Sequence, residues 1–241
     1  MKWFEKWFNS PYYHLLYQNR NDDEAKKFIK NLITFLQPPI NSCMLDAACG
    51  KGRHSIYLND FGYHVDGFDL SDKSITIAKQ HETNHLKFYI NDIKNPIKVN
   101  HYDYVFNLFT SFGYFDDEKD NLLAIESISK SLKKSGLLII DFMNSIKVIN
   151  NLIKNETKTI EDITFIIKRS INNNFITKDI EFIHKNENYH FQEKVKALTI
   201  ANFNTYFNAA NLKIEATFGD YDLTAFDEKI SDRLILIARK K

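Results

Sequence analysis

Three carboxylates and a pair of glycines carry most of the chemistry legible in this sequence: Asp46, Asp69, Asp92, Gly50 and Gly52. Asp46 closes the apolar run Met44-Leu45-Asp46-Ala47-Ala48, and the turn Cys49-Gly50-Lys51-Gly52-Arg53-His54 follows at once. Glycines spaced this way between a strand and a helix let a ligand approach the backbone. Only 7 of 241 residues are glycine, and Gly50, Gly52, Gly62 and Gly67 all fall in this first strand–helix–strand stretch. A dinucleotide fingerprint would need a third glycine where Ser55 stands, and Asp46 would repel a pyrophosphate while favouring a cation. Asp69 ends the next apolar run, His64 to Asp69, where a carboxylate can accept both ribose hydroxyls of a nucleoside, and Leu70 offers the base an apolar neighbour. The alternative for Asp69 is a plain helix start, but Ser71 is the better N-cap.

Asp46-Ala47-Ala48-Cys49-Gly50-Lys51-Gly52 resembles the first motif of class I S-adenosylmethionine (SAM) dependent methyltransferases. That cofactor carries a sulfonium and an ammonium group and no phosphate. The resemblance implies that Asp46, Ala47, Gly50, Gly52 and Arg53 border it, with Asp69 and Leu70 on its nucleoside. It further implies that Asp92 meets the adenine amino group and the Ile93 backbone the ring. The segment from Asn107 to Phe115 is similar to the corresponding loop of small-molecule members, and it lacks the Asn/Asp-Pro-Pro-Tyr/Phe pattern with which many DNA and RNA amino-methyltransferases grip a flipped base. Small-molecule members also cover cofactor and acceptor with an N-terminal segment, which makes Tyr12, Tyr17 and Arg20 candidate lid residues.

The elements that must position these groups follow from periodicity. Cys43–Ala47, 64–69, 86–90, 102–108 and 137–142 read as five strands of a parallel sheet, with helices between them. Asp116-Asp117-Glu118 starts the helix that precedes the fifth strand, and Lys133-Lys134-Ser135-Gly136 reads as its cationic last turn and glycine stop. A short helix around 148–153 follows. The runs 163–171, 175–184 and 190–197, separated by Asn172-Asn173-Asn174 and Lys185-Asn186-Glu187-Asn188, predict a hairpin meander. A helix over 203–210 and strands at 212–218 and 234–238 end the chain. Trp3, Phe4, Trp7 and Phe8 share one helical face before Pro11 breaks the helix, and a longer helix runs from Asp22 to Pro38. The expected fold is α/β: a Rossmann-like, doubly wound, seven-stranded methyltransferase sheet with an inserted antiparallel β meander. It forms one domain, with a helical lid at 1–40, a cofactor-binding core at 41–143 and 199–241, and the inserted layer at 144–198. The aromatic N-terminus and the insertion resemble glycine N-methyltransferase-like and amino-sugar N-methyltransferase-like enzymes.

Composition narrows the function. With 32 cations and 31 anions the net charge is +1, so no overall field favours nucleic acid or an anionic membrane. Two cysteines flank the first strand, no His/Cys/Asp/Glu cluster has metal-site spacing, and no apolar run approaches a membrane span. A cytoplasmic enzyme is expected, moving a methyl group from SAM to an amine or hydroxyl of a small metabolite. Tyr12, His14, Asn107, Tyr114 and Tyr221 are its acceptor-side candidates, each with packing as the competing role, and self-association through the inserted layer stays open. The rivals are an RNA or protein methyltransferase, a SAM-binding module without turnover, and a nicotinamide dehydrogenase.

Overall fold

The computed structural model describes residues 3–18 and 22–241. Two short helices open it, α1 (Trp3–Phe8) and α2 (Pro11–Leu16), the second started by Pro11 and by the Ser10 hydroxyl, which accepts from the Tyr12 N–H. Helix α3 (Asp22–Leu36) carries three acidic residues in its first turn and buries Ala25, Phe28, Ile29 and Leu32. The chain continues through β1 (Cys43–Ala47), α4 (Arg53–Asp60), β2 (His64–Asp69), α5 (Asp72–Ala78), β3 (Leu86–Ile90) and β4 (Tyr102–Asn107). Next come α6 (Glu118–Ser131), β5 (Leu132–Met143) and α7 (Ser145–Asn150). Four strands follow, β6 (Asn155–Ile160), β7 (Ile163–Asn172), β8 (Phe175–His184) and β9 (Glu187–Lys196). Helix α8 (Ile200–Ala209) and strands β10 (Leu212–Phe218) and β11 (Arg233–Lys240) complete the fold.

Seven strands form one sheet in the order β10-β11-β5-β4-β1-β2-β3, parallel except for β11, which runs antiparallel to both β5 and β10. Both faces are covered, so the central strands are mostly apolar, with Asp46, Asn107 and Asp141 as buried polar exceptions. Met44 of β1 and Ile235 of β11 face the cluster around Phe28, Phe88 and Phe106, while Leu45 and Leu236 face the one around Phe142 and Phe203. The strand order reverses between β1 and β4, and a doubly wound sheet opens its crevice at the carboxyl ends beside that reversal.

The second sheet, β6-β7-β8-β9, is an antiparallel meander. Its inner face buries Phe165, Ile167, Ile180 and Phe182 against Trp7 and Leu16 of the N-terminal helices. Trp7 is 0% exposed, and truncating such a side chain costs about 3–5 kcal/mol. The N-terminal helices therefore ride on the inserted sheet.

Three local expectations change. The insertion has four strands, because β6 (Asn-Glu-Thr-Lys-Thr-Ile) buries only its last residue fully and carries almost no apolar signal. The short helix occupies 145–150, capped by the Asn144 side chain, instead of 148–153. Lys133–Gly136 is no helix terminus: α6 stops at Ser131 and the chain enters β5 directly. Lys133 Nζ reaches both Asp103 carboxylate oxygens at 2.8 and 3.0 Å, and Lys240 and Arg239 donate to the Leu132 and Ser135 carbonyls. These long-range contacts hold an extended chain where local residue types read as a helical end.

Candidate functional site

A cavity of about 700 Å³ opens at the carboxyl ends of β1, β2 and β4. Asp69 organises one side of it. Its Oδ2 accepts from the Gly50 N–H at 2.9 Å and its Oδ1 from the Ser71 N–H at 2.8 Å, so one carboxylate fixes both the glycine turn and the start of α5. Burial raises the Asp69 pKa, and these two N–H groups oppose the rise. Gly50 has φ +56°, and a Cβ there would meet nothing within 4 Å, so its backbone is open to a ligand. Asp46 is 1% exposed and accepts from the Ser55 hydroxyl at 2.6 Å. Burial pushes its pKa up to about 6 against that hydrogen bond. A buried carboxylate held this way favours a cation beside it.

The opposite wall is the loop after β4. Phe109 and Thr110 adopt left-handed backbone, φ +61° and +59°, as does Ala48 of the first turn at +62°. Such conformations cost about 1–3 kcal/mol each in residues with a side chain and need surroundings that fix them. Asp141, fully buried on β5, supplies them here. Its Oδ2 accepts from the Phe109 N–H at 2.9 Å and from the Tyr221 hydroxyl at 3.2 Å, and its backbone carbonyl accepts from the Thr110 N–H at 2.9 Å. Its Oδ1 accepts from Arg233 Nε at 2.7 Å, and Arg233 Nη2 donates to Thr110 Oγ1 at 3.0 Å. The Phe109 ring is stacked near Tyr221, with the Arg53 guanidinium 5.0 Å from its centroid. Tyr114 closes the loop by donating to the Thr110 carbonyl at 2.5 Å.

The remaining wall is aromatic. Trp3, Phe4, Phe8, Tyr13, His14 and Tyr17 enter from the N-terminal helices, and Glu193 and Val195 from β9. Trp3 meets Tyr114 edge-on at 5.3 Å between centroids, which joins these helices to the loop. Burial and the nearby Lys51 push the His14 pKa down to about 4, so its imidazole is neutral at pH 7.

A family model described as a methyltransferase domain matches residues 41–209, the stretch holding β1 to β5, the loop after β4 and the inserted sheet. The chain belongs to this methyltransferase family. It is 29% identical over 113 residues to the Bacillus subtilis protein YqeM, covering 46% of each protein. It is 30% identical over 117 residues to glycine N-methyltransferase of Mus musculus, covering 42% of this chain and 40% of that one. The chain thus spans less than half the length of these relatives. Its fold is similar to that of a SAM-dependent methyltransferase structure from Clostridium acetobutylicum, with TM-score 0.78 and 17% identity over 95% of this chain and 96% of the other.

In this family member the cavity brings together Asp46, Gly50, Arg53, Asp69, Leu70, Asp92, Ile93, His14, Tyr17 and Tyr114 from the sequence-derived candidates. Others lie elsewhere. Tyr12 points away, into the inserted sheet, where its hydroxyl lies 2.9 Å from His184 Nδ1 and its ring packs on Phe182 and Tyr189. Ala47 is wholly buried in the sheet core. Asn107 is buried as well, donating to the Ala47 and Ser111 carbonyls to tie β4 to β1. Gly52 does not line the cavity: a Cβ there would sit 2.5 Å from the Phe88 ring, so packing against β3 and φ +81° require glycine. Tyr221 backs the loop through Asp141 without reaching the cavity. Arg20 lies outside the described residues. Sequence reading missed Asp141, Arg233 and Glu193, whose partners lie tens of residues away in the chain.

Proposed function

We propose that this chain binds SAM in the cavity and transfers its methyl group to an amine or hydroxyl of a small metabolite. The observation that carries the reading is Asp69. A carboxylate with two positions already set by backbone N–H groups lines the same cavity as the first-strand turn, the loop after β4 and an aromatic wall. The residues fit the cofactor: Asp69 has acceptor capacity left for a ribose diol, Gly50 leaves its backbone approachable, and Asp46 places a buried carboxylate near a cationic ligand. Leu70, 41% exposed, and the Asp92–Ile93 turn suit the base.

When bound, SAM supplies an electrophilic methyl on a positively charged sulfur. The protein's part is to hold the acceptor in line and dry, and the fixed Phe109–Thr110 backbone with its aromatic cover suits that task. An amine acceptor gives up a proton on methylation, and His14, with its pKa lowered to about 4, is too weak a base to hold that proton at pH 7. Metabolite-sized acceptors fit better than polynucleotides. The loop from Asn107 to Phe115 carries no Lys or Arg, and the acidic residues after it already pair with Lys194 and Lys196 of β9. The glycine N-methyltransferase relative acts on a small amine, in keeping with this class.

The inserted layer belongs to the same unit in this reading, because Trp7 and Leu16 pack into it while Phe4 and Phe8 line the cavity. Ile166 and Ile183 are 46% and 65% exposed on its outer face, a surface suited to self-association. Two cysteines with free thiols fit a reducing, cytoplasmic setting, and no helix among the described residues is long and apolar enough to cross a membrane. Calorimetric titration with SAM, NAD+ and short RNA at about 0.15 M salt tests the proposal. SAM binding alone is expected; NAD+ or salt-dependent RNA binding without SAM binding would overturn it.

A further inference from the structure

Among the cavity's carboxylates, Glu193 and Asp22 are not used by the cofactor reading, and Asp22 faces Arg53 at 3.7 Å. Glu193 stands on β9, reaches the cavity beside Val195, and faces walls from Trp3, Phe8, Tyr13 and Tyr114. Its Oε1 accepts two hydrogen bonds, from Trp7 Nε1 at 2.7 Å and from the Tyr17 hydroxyl at 2.6 Å. Among the described residues its Oε2 is ion-paired with Lys178 Nζ at 3.7 Å, too long for a hydrogen bond. Lys178 leans instead on Tyr17, to whose hydroxyl it donates, and does not itself line the cavity. The carboxylate is thus on the cavity side, the ammonium is behind it, and one oxygen retains its acceptor positions.

Resting on the methyltransferase reading, we infer that Glu193 is a specificity-determining residue of the acceptor site, selecting acceptors that carry, apart from the atom that takes the methyl, a protonated amine or another N–H donor directed at Oε2. The inserted sheet then does more than cover the site, because it carries the group that reads the acceptor. Aromatic walls and one carboxylate suit an organic cation: the rings take its apolar body and their faces attract its charge. A carboxylate at the same place in an acceptor would meet Glu193 at close range and be rejected. Trp7 and Tyr17 fix the side chain through Oε1, so Oε2 is presented in one orientation.

The test uses the full chain loaded with S-adenosylhomocysteine and three probes of one shape: cyclohexylamine, cyclohexanol and cyclohexanecarboxylate, with affinities read by ligand-observed NMR. The amine should bind at least about ten-fold more tightly than the alcohol, as expected for a charge-assisted hydrogen bond, and the carboxylate should bind most weakly. Glu193→Gln should erase the amine's advantage while leaving S-adenosylhomocysteine affinity unchanged. Trp7→Phe removes one anchor of Oε1 but keeps the charge, and should retain the preference. The inference is overturned if the wild type shows no amine preference, if Glu193→Gln keeps it, or if Trp7→Phe loses as much as Glu193→Gln. Failure of the chain to bind S-adenosylhomocysteine would sink the methyltransferase reading as well, which separates the two failures.

Discussion

Replacing Asp69 by alanine should weaken SAM binding by about 1.5–3 kcal/mol, or roughly 10- to 150-fold in Kd. The number comes from counting bonds. A carboxylate offers about four acceptor positions, and the Gly50 and Ser71 N–H groups occupy one on each oxygen. The remaining positions face the cavity and suit a vicinal diol. Alanine deletes those bonds and frees the glycine turn, while fold stability should change less than affinity. Burial of the carboxylate already disfavours its charged form, and its removal relieves that cost. Calorimetry with both SAM and S-adenosylhomocysteine is the assay, with a thermal melt to confirm folding. Because the two ligands share the ribose, both affinities should fall equally. An unchanged SAM affinity in the folded variant, or a loss with SAM alone, would refute the reasoning.

Asp46, with a folded-state pKa of about 6 against 3.8 for the free side chain, binds its proton more tightly in the native state. Stability should therefore fall as pH rises through about 4 to 6, by about 3 kcal/mol in total, and Asp46→Asn should flatten that part of the denaturation profile. SAM affinity should change in the opposite sense, strengthening as pH rises through about 6, because a cation favours the ionised carboxylate. Arg233→Met, which strands buried Asp141, should destabilise the fold by about 3 kcal/mol in urea titrations, and the double variant with Asp141→Asn should recover part of it. Ile183→Lys on the outer face of the inserted sheet should lower the solution mass measured by light scattering, without altering SAM binding.

Much of the core was legible because local chemistry and fold agree there. The run into Asp46, the Gly50 turn and Asp69 at the end of β2 each follow from a strand–turn–helix pattern, and all three meet in the cavity. What escaped reading depends on rotation or on distance. Tyr12, Tyr13, His14 and Tyr17 are close in sequence, yet α2 turns Tyr12 toward His184 and the others toward the cavity. Gly52 carries the same motif signature as Gly50, but only the position of Phe88 shows that one glycine serves packing and the other the ligand. The Asp141–Arg233 pair spans 92 residues and the Trp7–Glu193 bond 186, so no local pattern could announce them. β6 carries charged and hydroxyl residues in an edge strand, where the ladder, not apolar alternation, holds the chain extended.

The claim that this chain methylates a small metabolite is tested most directly by incubating it with methyl-labelled SAM and a fractionated cell extract. Label should appear in a low-mass fraction bearing an amine or hydroxyl, with stoichiometric release of S-adenosylhomocysteine. Label confined to RNA or protein, or none in any fraction while SAM still binds, would contradict it.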